Sequence, residues 1–153
     1  MTGYVTQLAR VCSLLNREGA RYVVVGARAL QLWGSIQATR DIAILIAPSV
    51  ENAARVLRAL EQVGFGLARE WLAEAVAAKQ VTVIGGRPRV DILTDAGNLS
   101  YHQAAPAATS FTVEGVAIPA ASLEHLIATQ RTGRAPDAAD RELLEDIKRI
   151  RSV

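Results

Sequence analysis

The chain has 153 residues, half of them hydrophobic, and a formal net charge of +2 at pH 7. A chain of this length can bury a core without disulfides or a structural metal, so we expect one domain over residues 1–153. No apolar run approaches the roughly 18 residues that a membrane span needs, and the N-terminus lacks a signal-peptide pattern. These features predict a cytoplasmic protein with no membrane partner, and the small net charge alone gives no argument for nucleic-acid binding.

Helical and strand patterns alternate in the N-terminal third. Apolar residues at helical spacing predict a first helix that stops at Gly19: Leu8, Val11, Cys12 and Leu15. Cys12 is the single cysteine, so it has no disulfide partner and we interpret it as a buried core thiol. Residues 21–25 predict a short buried strand, residues 27–33 a short helix, and residues 41–46 a second strand.

A long helix and a hairpin are predicted in the middle of the chain. Ser49 is a suitable N-cap for a helix that ends near Gly64, and residues 70–78 predict a further helix. Two apolar runs, Val81–Ile84 and Val90–Leu93, flank a Gly-Gly-Arg-Pro segment of the kind that joins the strands of a hairpin.

A loop, a small hairpin and two helices are predicted in the C-terminal third. Residues 96–110 are loop-like, and two short apolar runs within residues 111–118 predict a hairpin that Pro119 ends. Ser122 caps a helix through about residue 132, and a final helix opens at Pro136. The alternation of elements predicts an α/β (α+β) fold in which helices flank a mixed central sheet.

Two strand carboxylates carry the candidate chemistry. Because side chains alternate along a strand, Asp41 and Ala43 point to one face, while Asp91 lies inside another strand. Two carboxylates at i, i+2 spacing, joined by a third from a neighbouring strand, can hold two Mg²⁺ ions about 3.5–4 Å apart for phosphoryl transfer. The backbone N–H groups of Gly26 and Ala27, at the start of a helix, can contact phosphate oxygens.

Each of these residues also has an ordinary structural interpretation. Asp41 could cap its strand by accepting backbone hydrogen bonds, and Gly26 could serve any tight turn from strand to helix. Asp91 is flanked by apolar residues, where a carboxylate is costly unless it is paired or metal-bound, so a site role is favoured there. His102 and His125 lack a spacing that supports a zinc site.

Several motifs resemble those of the nucleotidyltransferase-fold proteins of bacterial toxin–antitoxin and phage-abortive-infection systems. That family has a strand, Gly-Gly, a short helix, Gly, an Arg-x-Thr-x-Asp-x-Asp block, and later a strand with a third Asp. This chain has Gly-Ala-Arg-Ala-Leu-Gln-Leu-Trp-Gly at residues 26–34, Thr-Arg-Asp-Ile-Ala at 39–43 and Arg-Val-Asp-Ile-Leu at 89–93. Residues 122–140 are similar to the family's helix, Gly-Arg turn and Asp-x-x-Asp helix start, so the resemblance covers about residues 20–147.

The resemblance implies a fold, an activity and partners. The fold is the nucleotidyltransferase fold, and the activity is transfer of a nucleoside monophosphate from a Mg²⁺-bound nucleoside triphosphate to a hydroxyl on RNA, protein or a small molecule. Asp41 and Asp91 would be the catalytic and metal-binding residues. The implied nucleotide-binding residues are Gly26, Ala27, Arg28 and Arg131. Implied partners are a cognate toxin or antitoxin, or a second copy of the chain if the protein modifies a small acceptor such as an antibiotic.

Four positions depart from the family pattern, and the departures fall at the site. They are Ala27 for the second glycine, Gln37 for arginine, Ala43 for the second aspartate and Gln130 for lysine. Loss of the carboxylate at position 43 is expected to lower the rate by at least about 10²–10³-fold. An engineered substitution would explain Ala43 alone, whereas the three further departures favour natural divergence.

Two functions therefore remain open from the sequence. The first is a nucleotidyltransferase-like protein whose transfer activity is weakened or lost. The alternative is a non-catalytic nucleotide- or protein-binding module, such as one member of a toxin–antitoxin pair.

Overall fold

The computed structural model describes residues 3–35, 40–64, 66–86 and 89–130. The α-helices in this part of the chain are α1 (Gly3–Arg17), α2 (Gly26–Trp33), α3 (Val50–Gln62), α4 (Ala73–Ala78), α5 (Tyr101–Ala104) and α6 (Leu123–Gln130). The strands are β1 (Tyr22–Val25), β2 (Ile42–Ile46), β3 (Val81–Ile84), β4 (Val90–Leu93), β5 (Thr109–Val113) and β6 (Val116–Ala120). No helix in the described ranges has the length and apolarity to cross a membrane.

The six strands form one mixed sheet in the order β3-β4-β2-β1-β6-β5. Pairing is antiparallel for β1 with β2, β3 with β4 and β5 with β6, and parallel for β2 with β4 and β1 with β6. The prediction of a mixed sheet flanked by helices is confirmed. The sheet brings β4 beside β2, although α3 and α4 separate these strands in the chain.

The helix α1 lies on one face of the sheet. The Tyr22 hydroxyl donates to Asn16 Oδ1 at 2.8 Å, and Asn16 is on α1. The register partners Val24 and Ile44 share the face of Tyr22, because residues two apart in a strand point the same way. All three are buried. Val25 points to the opposite face, which is where the candidate site lies.

A buried asparagine joins α3 to the strands beside it. The Ser49 side chain accepts a hydrogen bond from Asn52 N at 3.1 Å, so the predicted N-cap is confirmed. Asn52 Oδ1 in turn accepts from Arg21 N at 2.7 Å, and its Nδ2 donates to the carbonyls of Arg21 and Ala47, both at 3.0 Å. These bonds satisfy the buried amide and fix the ends of β1 and β2 against α3.

Two predictions for the middle of the chain are corrected. The helix predicted over residues 70–78 begins only at Ala73, as α4, because Leu72 before it is extended, and a separate 3-10 helix, Gly66–Glu70, precedes it. The segment predicted as a loop over residues 96–110 contains α5. A capping box explains this helix: the Ser100 side chain accepts from Gln103 N, and the Gln103 side chain accepts from Ser100 N.

Pro119 does not end the second hairpin, as the sequence predicted. β6 continues through it to Ala120, with Pro119 in register with Ser110. The fixed φ of proline is compatible with an extended strand, and its cost is one missing N–H donor. On its other side β6 pairs with β1 only at Val24 and Ala120, where Ala121 N donates to Val24 O at 3.0 Å.

The helix α6 begins where it was predicted, because Ser122 Oγ accepts from His125 N at 3.1 Å. The predicted end of this helix near residue 132 and the final helix from residue 136 lie outside the described residues.

Candidate functional site

A row of four side chains crosses the sheet on the face opposite α1. Val25 is in register with Ala43, Ala43 with Asp91, and Asp91 with Val83. Register partners point to the same face, so these residues are neighbours across β1, β2, β4 and β3. Exposure rises along the row from 5% at Val25 to 45% at Val83. Asp91 therefore lies where a buried surface opens to solvent.

The two predicted carboxylates meet at the edge of this row. Asp41 directly precedes β2, and Asp91 is the second residue of β4. The segments are tied together at this end of the strands because Ile42 N donates to Arg89 O at 2.9 Å. Asp41 is 50% exposed and Asp91 21% exposed in their side chains, so both can be reached by a ligand.

Arg89 forms ion pairs with both carboxylates. Its Nε is 3.0 Å from Asp91 Oδ1, and its Nη2 is 3.1 Å from Asp91 Oδ2. The same Nη2 lies 3.6 Å from Asp41 Oδ2. Asp91 Oδ1 is buried and, in spite of its ion-pair contact with Arg89, receives no aligned hydrogen bond. This oxygen thus retains a lone pair for a better-placed donor or cation.

Arg28 is buried and does not lie on the surface. The side chain is 1% exposed, and its Nη1 donates to the carbonyl of Arg40 at 3.1 Å. Burial lowers the pKa of the Arg28 guanidinium, an effect that its interaction with Cys12 opposes. This hydrogen bond holds the residue before Asp41, which gives Arg28 a positioning role, and the phosphate contact expected from the sequence stays a prediction.

Gly26 is required by the backbone at the start of α2. Its φ is +67°, and a Cβ added there would lie 3.5 Å from the Cβ of Ala43, which is ordinary van der Waals contact. The conformation, and not a lack of space, therefore selects glycine. Ala27 lies within α2 and is not among the positive-φ residues, so alanine at this position causes no backbone strain.

The first turn of α2 offers N–H donors beside the carboxylates. Val25 at the N-cap supplies no side-chain hydrogen bond, and the first turn contains no acidic residue. The first N–H groups of a helix lack intrahelical partners and attract anions. Gly26 begins this turn and directly follows Val25, the register partner of Ala43, so the predicted phosphate-binding residues lie next to the row that contains Asp91.

Two further positions named from the sequence, Arg131 and Gln37, lie outside the described residues. Within the described ranges, no three His, Cys, Asp or Glu side chains form a group that could hold a metal ion. Asp41 and Asp91 thus form a carboxylate pair that shares Arg89, and Ala43 is the register partner of Asp91.

Sequence reasoning overlooked two features. Arg89 was not singled out, because an arginine next to a strand is usually solvated, although its position two residues before Asp91 was a usable signal. A cavity of about 410 Å³ also lies between α6 and the turn before α5, lined by Gly97, Asn98, Leu99, Gln103, His125, Ala128 and Thr129. The buried Nδ1 of His125 has no hydrogen-bond partner among the described residues, and the lining carries no carboxylate or arginine.

Comparison with known proteins does not identify a family. No protein-family model matches the chain, and no curated protein sequence matches it.

Proposed function

We propose that this chain is a nucleotidyltransferase-fold protein that binds a nucleoside triphosphate at Asp41 and Asp91. In an intact site of this kind, a nucleoside monophosphate passes from the Mg²⁺-bound triphosphate to a hydroxyl of RNA, protein or a small molecule. In this chain the transfer step is weakened or lost because Ala43 replaces the second carboxylate of the metal site.

The observation that carries the proposal is the register of Ala43 with Asp91. A carboxylate at position 43 would share a sheet face with Asp91 and lie two residues after Asp41. Three carboxylates in this arrangement are suited to a metal pair. The parallel pairing of β2 with β4 supports the proposed fold, because Asp91 then lies on the strand next to the one that Asp41 precedes.

The donor set fits one Mg²⁺ ion and not a pair. Mg²⁺ is usually bound by one or two carboxylates together with substrate phosphates. Asp41 and Asp91 supply two carboxylates, and the buried Asp91 Oδ1 has no aligned hydrogen bond. A bound Mg²⁺ would neutralise phosphate charge, while the first turn of α2 would orient the phosphates and Arg28 would hold the segment before Asp41.

A non-catalytic module is the second candidate, and one further observation favours it. Val81 and Val83 on the edge strand β3 are 43% and 45% exposed. Both share the sheet face of Asp91, because Val83 is its register partner. An exposed apolar strand edge beside the site suits contact with another protein, such as the second member of a toxin–antitoxin pair or a second copy of the chain.

One experiment separates the two functions. The natural chain, Ala43→Asp and Asp41→Asn are incubated with each α-labelled nucleoside triphosphate, Mg²⁺ or Mn²⁺, and a mixture of total RNA and protein acceptors. Ala43→Asn serves as the matched control, because it adds similar volume without a charge. Calorimetric titration with the same nucleotides measures binding separately from transfer.

We expect nucleotide binding by the natural chain and label transfer by Ala43→Asp but not by Ala43→Asn. Transfer by the natural chain that is lost in Asp41→Asn would show that Ala43 does not disable the enzyme. If no variant transfers label and none shows a heat of nucleotide binding, a nucleotidyltransferase-like function is refuted and the protein-binding module is left.

A further inference from the structure

A small charge network lies at the centre of the candidate site. Arg89 carries one positive charge and Asp41 and Asp91 one negative charge each, so the three side chains sum to −1. The Arg89 Nη2 is 3.1 Å from Asp91 Oδ2 and 3.6 Å from Asp41 Oδ2. The guanidinium therefore lies where a cation shared by the two carboxylates would bind.

Arg89 holds the two carboxylates unequally. Its Nε is 3.0 Å from Asp91 Oδ1 and its Nη2 is 3.1 Å from Asp91 Oδ2, and of these two contacts the one from Nη2 is an aligned hydrogen bond. The 3.6 Å contact with Asp41 is too long for a hydrogen bond and is held by charge alone. Arg89 thus contacts Asp91 more closely than it contacts Asp41.

The contact between Arg89 and Asp41 can be displaced at low cost. The side chains of Arg89 and Asp41 are 49% and 50% exposed, and exposed ion pairs contribute little net stability. A divalent cation that binds both carboxylates would have to move the guanidinium. The released guanidinium would then be available to a phosphate of the bound nucleotide, and arginine pairs well with phosphate.

We propose that Arg89 is a built-in counter-ion that competes with a divalent cation for Asp41 and Asp91. Mg²⁺ alone then binds weakly, whereas Mg²⁺ carried on a triphosphate binds well because the displaced guanidinium gains a phosphate partner. The identity of that ligand rests on the proposed function, whereas the competition between Arg89 and the metal can be measured without any nucleotide.

The test compares Mn²⁺ binding to the natural chain and to Arg89→Gln by electron paramagnetic resonance. Removing one neighbouring positive charge is expected to tighten Mn²⁺ binding about tenfold. Arg89→Lys, which keeps the charge but loses the two-point contact, should bind Mn²⁺ no more than slightly tighter than the natural chain. Arg58→Gln is the matched control. Arg58 pairs with Glu18, so this substitution removes the same charge from a different ion pair.

A second measurement gives a signature that a merely structural role would not produce. Calorimetry with each common nucleoside triphosphate in saturating Mn²⁺ should show weaker binding to Arg89→Gln than to the natural chain. The single substitution would thus strengthen the binding of the metal alone and weaken the binding of the metal–nucleotide complex. The gain in Mn²⁺ affinity should disappear when Asp41→Asn is added.

Each outcome decides between the claims. If Arg89→Gln binds Mn²⁺ no tighter than the natural chain and Arg58→Gln, or if no variant binds Mn²⁺, the counter-ion role is refuted even where nucleotide binding is found. If Mn²⁺ affinity rises as expected but no variant binds a nucleotide, the proposed function fails and the competition between arginine and metal stands. A gain that survives Asp41→Asn would also contradict the proposal.

Discussion

Ala43 lies beside Asp91 as its register partner on the neighbouring parallel strand. The methyl group of Ala43 is therefore the only side chain between Val25 and Asp91 in the row that crosses these strands. In the proposed account, this one position decides whether the face carries two carboxylates or three. Arg89 balances the two that remain.

A carboxylate at position 43 should make the thermal stability of the protein depend on a bound metal. In Ala43→Asp a third negative charge joins Asp41 and Asp91, so we expect a lower melting temperature without metal and a larger rise on adding Mg²⁺ than in the natural chain. Transfer activity should rise by about 10²-fold or more if the rest of the site is competent. Thermal unfolding with and without Mg²⁺ tests the first part, and equal Mg²⁺ responses in Ala43→Asp and Ala43→Asn would contradict it.

Gly26→Ala should destabilise the protein through its backbone. The φ of +67° disfavours any L side chain, while the added Cβ meets Ala43 at an ordinary 3.5 Å. We expect a loss of about 1–2 kcal/mol in the free energy of unfolding. Gly19→Ala is the matched control, with φ +73° and no atom within 4 Å of an added Cβ.

Both glycine variants should lose similar stability in urea denaturation, but only Gly26→Ala should weaken nucleotide binding. A much larger loss for Gly26→Ala than for Gly19→Ala would show that packing against Ala43, and not the backbone conformation, selects glycine.

Arg28→Ala tests whether this arginine positions the segment before Asp41. The change leaves the carbonyl of Arg40 without its 3.1 Å donor and opens a cavity in a buried region. We expect a loss of about 2–4 kcal/mol in the free energy of unfolding. The exposed Arg58→Ala should cost little, because surface ion pairs contribute little.

Arg28→Lys separates positioning from a direct phosphate contact. Lysine keeps the charge and loses the planar fork. Reduced stability with nearly unchanged nucleotide affinity would fit the positioning role. Unchanged stability with strongly reduced affinity would mean that Arg28 leaves its buried position to bind phosphate.

Alkaline pH should destabilise the fold through two buried groups that can lose a proton, the Cys12 thiol and the Tyr22 hydroxyl. Burial raises the pKa of the Cys12 thiol from its ordinary 9.0 to about 12, and burial also raises the pKa of Tyr22. The unfolded thiol loses its proton near its ordinary pKa while the folded thiol keeps it. Stability is therefore fully present below about pH 9 and falls between pH 9 and about 12, by up to about 1.4 kcal/mol per pH unit for one group.

Urea denaturation across this pH range measures the slope. Cys12→Ala should flatten it between pH 9 and 10, below the ordinary pKa of tyrosine, and leave a decline above pH 10 from Tyr22. An unchanged slope in Cys12→Ala would show that the thiol does not contribute.

Most of the fold could be predicted from local signals in the sequence. The strands β1 and β2 follow from short apolar runs, and α3 follows from its helical spacing and from Ser49, whose cap is formed. The capping box of Ser100 and Gln103 was also present in the sequence and would have identified α5. Asn52 gave no such signal, because its partners Arg21 and Ala47 are set by tertiary packing.

The candidate site was less accessible to prediction. Asp41 and Asp91 were recognised individually, but their proximity depends on the parallel pairing of β2 with β4, which lie far apart in the chain. The ion pairs of Arg89 follow from that register. The buried position of Arg28 depends on how α2 packs, so its residue type alone suggested a surface contact.

The most direct test of the account is a crystal structure of the natural chain with Mn²⁺ and a non-hydrolysable nucleoside triphosphate, with anomalous scattering used to locate the metal. We predict one Mn²⁺ peak bound by Asp41 and Asp91, triphosphate oxygens at the first turn of α2, and Arg89 turned from the carboxylates to the phosphates. Nucleotide or Mn²⁺ bound elsewhere, with Arg89 still paired to both carboxylates, would contradict the central claim that this edge of the sheet is a nucleotide site.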